Sequence, residues 1–477
     1  MSKPHPHLAV VVLAAGAGTR MRSRTPKVLH SLGGRSMLGH VLAAAQEVAP
    51  GHVVVVVGHG RELVGPAVTA LVPTAHLAVQ EVQAGTGHAV SVALAALRAA
   101  TGGVPAEVLV TTADTPLLQG ATLAALLDAH RAGTGAGTGA GTGAGTGAGT
   151  GTGTGTAVTV LTSEVADPTG YGRVVRDDAG SVRAVVEQKD ADAALARIRE
   201  INAGVYVFDG PWLEQALGRV TADNAVGEYY LTDTVALAVQ DGRRVEGHLL
   251  ADAAQTEGAN DRVQLAALAA ALNRRTLEHW MRAGVTVVDP ASTWVDVTVE
   301  LEADATLLPG VHLLGTTTVA RDAVVGPDTT LQDTVVGTGA TVVRSHVLGA
   351  LVGPRATVGP FTYLRPGTEL AEAAKTGAFV EAKNARLGRG AKVPHLSYVG
   401  DAEVGEGSNI GAGTVFANYD GVAKHRTTVG RHARTGSNNT FIAPVTIGDG
   451  AVTAGGTTVR RDVPPGALAV SSGPQRH

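Results

Sequence analysis

Two basic residues, Arg20 and Lys27, flank the end of a glycine-bearing stretch, Leu13-Ala14-Ala15-Gly16-Ala17-Gly18-Thr19-Arg20-Met21, with Pro26 fixing the approach to Lys27. Glycines that let backbone N–H groups approach an anion, set beside fixed positive charge, make a cradle for phosphates. Gly16 and Gly18 are both expected at positive φ for that purpose. The spacing is neither G-x-x-x-x-G-K-[ST] nor G-x-G-x-x-G, so this is a phosphate loop of another kind. The glycines alone would equally suit a ligand-free strand-to-helix turn, and Asp114 alone a helix cap before Pro116. With Asn260, however, Asp114 offers the carboxylate and amide oxygens that magnesium takes when water and phosphate oxygens complete its octahedron. This set serves attack of a phosphate oxygen on the α-phosphorus of a nucleoside triphosphate, with release of pyrophosphate. Such a reaction needs positioned cations more than an acid or a base.

A second set lies far downstream. His395, in Pro394-His395-Leu396-Ser397-Tyr398, carries an imidazole able to take a proton from an attacking amine, and Glu381 is expected to orient it. Arg365, Lys383, Tyr398 and Asn409 fall on the same few repeats, a pocket for an anionic sugar. An isolated histidine is more often structural or solvent-exposed, so these neighbours carry the reading.

The elements that must position the first set follow an α/β pattern. Leu8–Leu13 is apolar and mostly β-branched without alternation, which predicts a strand covered on both faces of a parallel sheet. Ser36–Val48 has helical spacing, Val53–Val57 is a second buried strand, and Gly85 opens a helix reaching about Ala100. Val108–Thr112 is a strand ending at Asp114. In an open α/β sheet the ligand lies at the carboxyl ends of the strands, which puts Gly16, Gln83, Gly85 and Asp114 on one rim. Four further strings, Gly170–Arg173, Val185–Asp190, Glu200–Gly204 and Gly227–Asp233, set polar groups beside strands or turns, where a sugar can be hydrogen-bonded. Glu257–Asn260 closes the block.

The second set sits on a different period. Val295, Leu301, Leu307, Leu313, Val319, Val325 and Leu331 fall six apart, and Val336, Val342 and Leu348 resume after a one-residue slip. This is the hexapeptide repeat of a parallel β-helix, one inward aliphatic per short strand and three strands per coil. Leu364 to Leu387 is 23 residues and Ile410 to Val429 is 19, neither a multiple of six, so loops are expected to leave the prism at both places. Few aromatics, 3% of residues, and much Gly, Ala, Val and Thr suit such a stack.

Composition narrows the rest. A chain of 477 residues exceeds one core, and a net charge of -4 offers no basic field for nucleic acid. The absence of cysteine excludes disulfides, thiolate metal sites and thiol catalysis, and fits a cytoplasmic location. No signal-peptide layout and no apolar run long enough for a membrane span are present. Residues 133–156 are an almost pure Gly-Thr-Ala tract, read as a disordered and dispensable insertion.

The string from Leu13 to Lys27 resembles the signature of sugar-nucleotide nucleotidyltransferases. Adding Gly85–His88, Gly170–Arg173, Gly227–Asp233, Leu364–Gly367 and His395–Asp401, nearly the whole chain resembles the bacterial bifunctional N-acetylglucosamine-1-phosphate uridyltransferases / glucosamine-1-phosphate N-acetyltransferases. The resemblance implies an α/β Rossmann-like nucleotidyltransferase domain over 1–261, a helical linker over 262–284, and a left-handed parallel β-helix acetyltransferase domain over 285–477. It implies that Leu13, Ala14, Ala15, Gly16, Lys27, Gln80, Gly85, Thr86, Thr112, Ala113 and Asp114 contact UTP, with Asp114 and Asn260 on Mg2+ and Arg20 and Lys27 catalytic. Gly172, Glu187, Asn202 and Asn260 would hold the N-acetylglucosamine moiety. Arg365, Lys383, Tyr398 and Asn409 would grip glucosamine-1-phosphate, Ala412, Asn418, Tyr419, Ser437 and Gly455 would meet acetyl-CoA, and His395 would be the base. It also implies a homotrimer with acetyltransferase sites between solenoids. Three positions depart from the family pattern: Ala113 and Pro394 stand where Gly is usual, and Ser472 where a basic residue is. A single-activity pyrophosphorylase with a purely structural solenoid, or a non-catalytic assembly subunit, would share the architecture. Retention of Arg20, Lys27, Asp114, Arg365, Lys383 and His395 argues against both.

Overall fold

The computed structural model describes residues 5–133 and 155–471, so the Gly-Thr tract from 134 to 154 and Ser472 lie outside the described residues. The chain divides into two compact units, one running to Ala269 and one beginning at Ala270.

The first unit is built on a mixed sheet in which the interior strand His5–Ala14 is flanked in parallel by Pro50–Val57 and Glu107–Thr112. Its lack of alternation has the expected cause. Leu8, Val10, Val12 and Ala14 enter one core cluster, while Ala9 and Val11 enter the other on the opposite face. Each face is covered by helices, Met37–Glu47 and Arg61–Leu71 among those on one side and Thr86–Thr101 on the other. Ser36 starts the first of these helices by accepting the Gly39 N–H at 3.0 Å. Beyond Glu107–Thr112 the sheet turns antiparallel: Glu200–Asp209 pairs with it and with Thr156–Glu164, which in turn pairs in parallel with Arg244–Leu250. A hairpin of Arg173–Arg176 and Val182–Val186 hangs from Ile201.

The second unit is a left-handed parallel β-helix. Leu313 faces Leu331 eighteen residues on, and Val295, Leu301 and Leu307 face Leu313, Val319 and Val325 in the same way. The stacked aliphatics form one continuous core. Its open first coil is closed by the C-terminal part of the helix Arg262–Arg282. Asn273 donates from Nδ2 to the Thr293 carbonyl at 2.8 Å and accepts the Val295 N–H at 3.0 Å. Backbone groups that have no preceding coil to pair with are thereby satisfied.

Two expectations about the solenoid are corrected. Val347, not Leu348, is the inward residue, fully buried and facing Leu364, because a second one-residue slip follows Val342. No loop leaves the prism between Leu364 and Leu387. Leu370, Thr376 and Ala382 fill the inward positions there, and Thr376 and Ala382 are too small or too polar to register in an aliphatic count. The second break is a true loop: Phe416 faces Phe441 twenty-five residues on, and the excess is the segment from Asn418 to His425.

Candidate functional sites

In the first unit the glycine loop and its neighbours enclose a cavity of about 260 Å3. Lys27 enters it from a one-turn helix, Lys27–Leu29, started by Pro26. Gly18 makes room for that side chain: its φ is +59°, and a Cβ there would lie 2.5 Å from the Lys27 Cβ. The ammonium then donates to Asp114 Oδ2 at 2.6 Å and to Asn260 Oδ1 at 3.2 Å. Asp114 comes from the end of the strand Glu107–Thr112 and Asn260 from just before the helix Arg262–Arg282, and the Ala259 N–H donates to the Asp114 carbonyl at 3.3 Å. Gly16 does not take the expected positive φ. It lies exposed at the cavity wall with nothing within 4 Å of its would-be Cβ, so what it contributes there is open space.

The opposite wall is a latch between two segments distant in sequence. Gly87 donates to the Tyr229 carbonyl at 2.8 Å, Tyr229 to the Ala84 carbonyl at 2.8 Å, and Leu231 to Thr86 Oγ1 at 3.0 Å. Gly85 is required by this contact: φ is +106°, and a Cβ would come within 2.5 Å of the Tyr229 carbonyl oxygen. Gln80 holds the Gly85 carbonyl from Nε2 at 3.1 Å.

Of the nucleotide-site residues expected from sequence, Leu13, Ala14, Ala15, Gly16, Lys27, Gln80, Gly85, Thr86, Thr112 and Asp114 line the cavity. Ala113 is 1% exposed, with its methyl in the core beside the sheet. Arg20 lies exposed in the turn Thr19–Met21 and is not among the lining residues. Val28, Ala89 and Glu228 also line the cavity and were not singled out individually. The signal for Glu228 was the Gly227–Asp233 string, which reads as a sugar contact and not as the partner of Gly85.

Gly172, Glu187 and Asn202 come together beside this cavity. A Cβ on Gly172 would lie 3.5 Å from Glu187 Oε2 and 3.6 Å from the Asn202 Cβ. Glu187 Oε1 accepts from Thr232 Oγ1 at 3.2 Å, and burial pushes its carboxyl above the usual range. Gly204, two residues past Asn202, approaches the Thr112 methyl, which lines the cavity.

In the second unit the expected residues divide between two faces of the prism. Tyr363, Glu381, Tyr398 and Val415 share one outward register on successive coils, with Arg365 and Lys383 beside them. Arg365 donates to Glu381 Oε1 at 3.0 Å, so Glu381 is engaged by the guanidinium rather than set aside to orient His395. Lys383 faces Lys424 from the loop, and this apposition, with burial and Arg365, lowers its pKa. Asp401 donates nothing but accepts from Asn384 Nδ2 at 2.7 Å and from Asn418 Nδ2. Burial alone would raise its carboxyl; those two bonds, with Lys383 and Lys424, outweigh burial and hold it below the usual range. Tyr419 and Asp420 stay in the loop, where Asp420 pairs with His425 at 2.6 Å.

His395 lies on the neighbouring face, exposed at the end of Lys392–His395 and separated from Tyr398 by the corner residues Leu396 and Ser397. Asn409 bridges Lys392 and Arg434 on that same face, away from Arg365 and Lys383. Ala412, Ser437 and Gly455 continue the His395 column on successive coils: Gly413 N–H meets the His395 carbonyl, Asn438 N–H the Ala412 carbonyl at 2.7 Å, and Gly456 N–H the Ser437 carbonyl at 2.8 Å. Three outward corner residues, Phe361, Phe379 and Leu396, flank this column, all more than half exposed, with the two phenyl rings stacked at 5.3 Å.

Family models match in tandem: a MobA-like NTP transferase domain over residues 10–148 and a nucleotidyl transferase over residues 148–298. Among curated relatives, the bifunctional protein GlmU of Rhodococcus opacus (strain B4) is 59% identical over 98% of this chain and 90% of its own length. That of Nocardia farcinica (strain IFM 10152) is 57% identical over 98% and 91%. The Kineococcus radiotolerans protein of the same name is 55% identical over 100% and 92%. No helix among the described residues is long and apolar enough to cross a membrane. With more than half of its residues shared along nearly its full length, and with both the nucleotidyltransferase sheet and the β-helix formed, this chain belongs to the bifunctional GlmU family.

Proposed function

We propose that the protein makes UDP-N-acetylglucosamine in two steps: acetyl transfer from acetyl-CoA to glucosamine-1-phosphate, then uridylyl transfer from UTP to N-acetylglucosamine-1-phosphate. The observation that carries the second step is the convergence of Asp114 and Asn260 on the Lys27 ammonium inside the glycine-loop cavity. Two oxygens from separate segments, already within hydrogen-bond reach of one cation, have the donor chemistry that magnesium requires. When bound, Mg2+ would be held by Asp114 and Asn260 and would neutralise charge on the triphosphate. Lys27 then faces the α-phosphate as the attacking oxygen closes and pyrophosphate departs. The backbone from Leu13 to Gly16 lies against the nucleotide, and Gly172, Glu187 and Asn202 hold the amino sugar.

For acetyl transfer, Arg365, Lys383 and Lys424 supply three positive charges for the sugar phosphate, and the lowered pKa of Lys383 reflects a cluster in want of an anion. His395 takes the amine proton as nitrogen attacks the thioester carbonyl and the CoA thiolate leaves. The column Ala412, Ser437, Gly455 gives a groove of small residues for the coenzyme. Because Asn409 and His395 face away from Arg365 and Lys383, a complete site calls for faces from more than one copy. A homotrimer is therefore part of the proposal, with the exposed apolar corner Phe361, Phe379 and Leu396 turned toward the neighbour. UTP and acetyl-CoA are cytoplasmic metabolites, which is where we place the reaction.

The test is direct. Purified protein is given UTP, Mg2+ and N-acetylglucosamine-1-phosphate with pyrophosphate as readout, then acetyl-CoA and glucosamine-1-phosphate with free thiol as readout. Both products are expected; UTP left intact would overturn the proposal at its first half, and absent thiol release would reduce the solenoid to an oligomerisation module.

A further inference from the structure

Asn202 sits at a break in the central sheet that brings it against a fully buried phenol. Along Glu200–Asp209, Asn202 pairs with Thr162 and Tyr206 pairs with Val160, so four steps on this strand oppose two on its neighbour. In a regular strand, residues four apart are roughly 13 Å apart and cannot touch. Here the bulge, with Gly204 at φ +72°, folds the strand so that Asn202 Nδ2 donates to Tyr206 Oη at 2.6 Å. The other end of the same amide is fixed as well, its Oδ1 accepting the Gly204 N–H at 3.0 Å. Bulges that re-aim a side chain are common beside functional sites.

The ring and the hydroxyl of Tyr206 do different things. The ring is core, 3% exposed and stacked on Phe208 at 5.5 Å, a place a phenylalanine would fill. The hydroxyl adds nothing to that packing, and burying it is costly unless it is hydrogen-bonded. Its partner is Asn202. Burial, and after it the Glu187 carboxylate, raise the phenol pKa, so the group stays neutral and able to accept.

We propose that Tyr206 is a positioning residue for the sugar subsite: its hydroxyl locks the Asn202 amide so that the remaining N–H and carbonyl lone pair meet N-acetylglucosamine-1-phosphate in one fixed orientation. This rests on the proposed uridylyl transfer, in which Asn202 holds the amino sugar. Loss of the lock leaves the amide held only through its Oδ1 by the Gly204 N–H, and the sugar phosphate must complete its ordering on binding. For one net hydrogen bond this is about a fivefold rise in KM for the sugar phosphate.

The test is Tyr206→Phe, alone and combined with Asn202→Ala, assayed by pyrophosphate release with each substrate varied in turn and by calorimetric binding of N-acetylglucosamine-1-phosphate. Expected for Y206F is a KM for the sugar phosphate raised about fivefold, with kcat and the KM for UTP within twofold of wild type. In the N202A background the same change should add nothing, because its target is gone. An unchanged KM for the sugar phosphate in Y206F overturns the proposal. So does a Y206F effect of full size on top of N202A, or an equal rise in both KM values, since either means the ring's packing is what matters. Wild-type protein that neither turns over UTP nor binds the sugar phosphate overturns the underlying reading as well, whereas normal wild-type behaviour with a silent Y206F overturns this one alone.

Discussion

Replacing Lys27 by methionine removes the ammonium and keeps a stem able to lie beneath Gly18. In the structure the Lys27 side chain is 13% exposed, and its ammonium is bonded to both Asp114 and Asn260, at 2.6 and 3.2 Å. Two effects follow. A charge-assisted bond to a half-buried carboxylate contributes about 1.5–3 kcal/mol, so the ligand-free variant should melt lower, by a few degrees for a chain of this size. In the reaction, losing one preorganised cation aimed at developing phosphate charge costs about 10²–10³-fold in kcat, or about 3–4 kcal/mol. The same substitution vacates the position where a divalent cation is proposed to bind, so added Mg2+ should restore part of the lost thermal stability without restoring turnover. The assay is pyrophosphate release across a Mg2+ titration, with melting curves on the same samples and acetyl transfer as internal control for folding. Uridylyl transfer within threefold of wild type would refute the reasoning, and so would a parallel collapse of acetyl transfer.

Three other outcomes are expected. His395→Ala should abolish thiol release from acetyl-CoA and spare pyrophosphate release; if both fall together the division of labour between the two units is wrong. Glu187 has a folded pKa above its ordinary 4.5 because burial disfavours the charged form, so ionising it costs stability as pH rises through the folded value, while below about 4.5 the cost vanishes. Glu187→Gln should therefore melt higher than wild type near neutral pH and converge with it in acid, and a stabilisation that grows toward acid would contradict the sign. Finally, a Cβ on Gly133 would lie 2.0 Å from Thr156 Oγ1, so the two ends of the Gly-Thr tract are in contact. Deleting residues 134–154 should leave both activities and the melting temperature near wild type, and loss of either would show that the tract contributes to function or stability.

Where one residue type answers one structural demand, the chain could be read directly. The strand His5–Ala14 is visible because both of its faces are buried, and the first coils because Val and Leu recur at an unbroken step. The reading fails where the demand is met by something other than size or hydrophobicity. Thr376 and Ala382 fill inward positions with little apolar bulk, so an ordinary pair of coils reads as a protruding loop. Leu348 and Val347 are adjacent and alike, and only the pairing register tells which points in. Gly16 looks like a backbone device and is in fact a gap, because space around a residue is a tertiary property. The contact between Gly85 and Tyr229 joins segments far apart in sequence, so neither string alone discloses the other. Asn202 reads as a sugar contact, yet the bulge that aims it depends on two-against-four pairing with another strand.

The β-helix changes repeat length without changing what faces what. Thr341 meets Thr357 sixteen residues on, Ala382 meets Val399 seventeen on, Leu313 meets Leu331 eighteen on and Phe416 meets Phe441 twenty-five on, all in unbroken parallel alignment. Residues are gained or lost only at the prism's edges, outside the ladders. Such a scaffold can accept insertions at an edge as if they were appended to it, leaving every rung above and below in place. Extra segments can therefore be accommodated one edge at a time, as the stretch from Asn418 to His425 is, with no renegotiation of the interior.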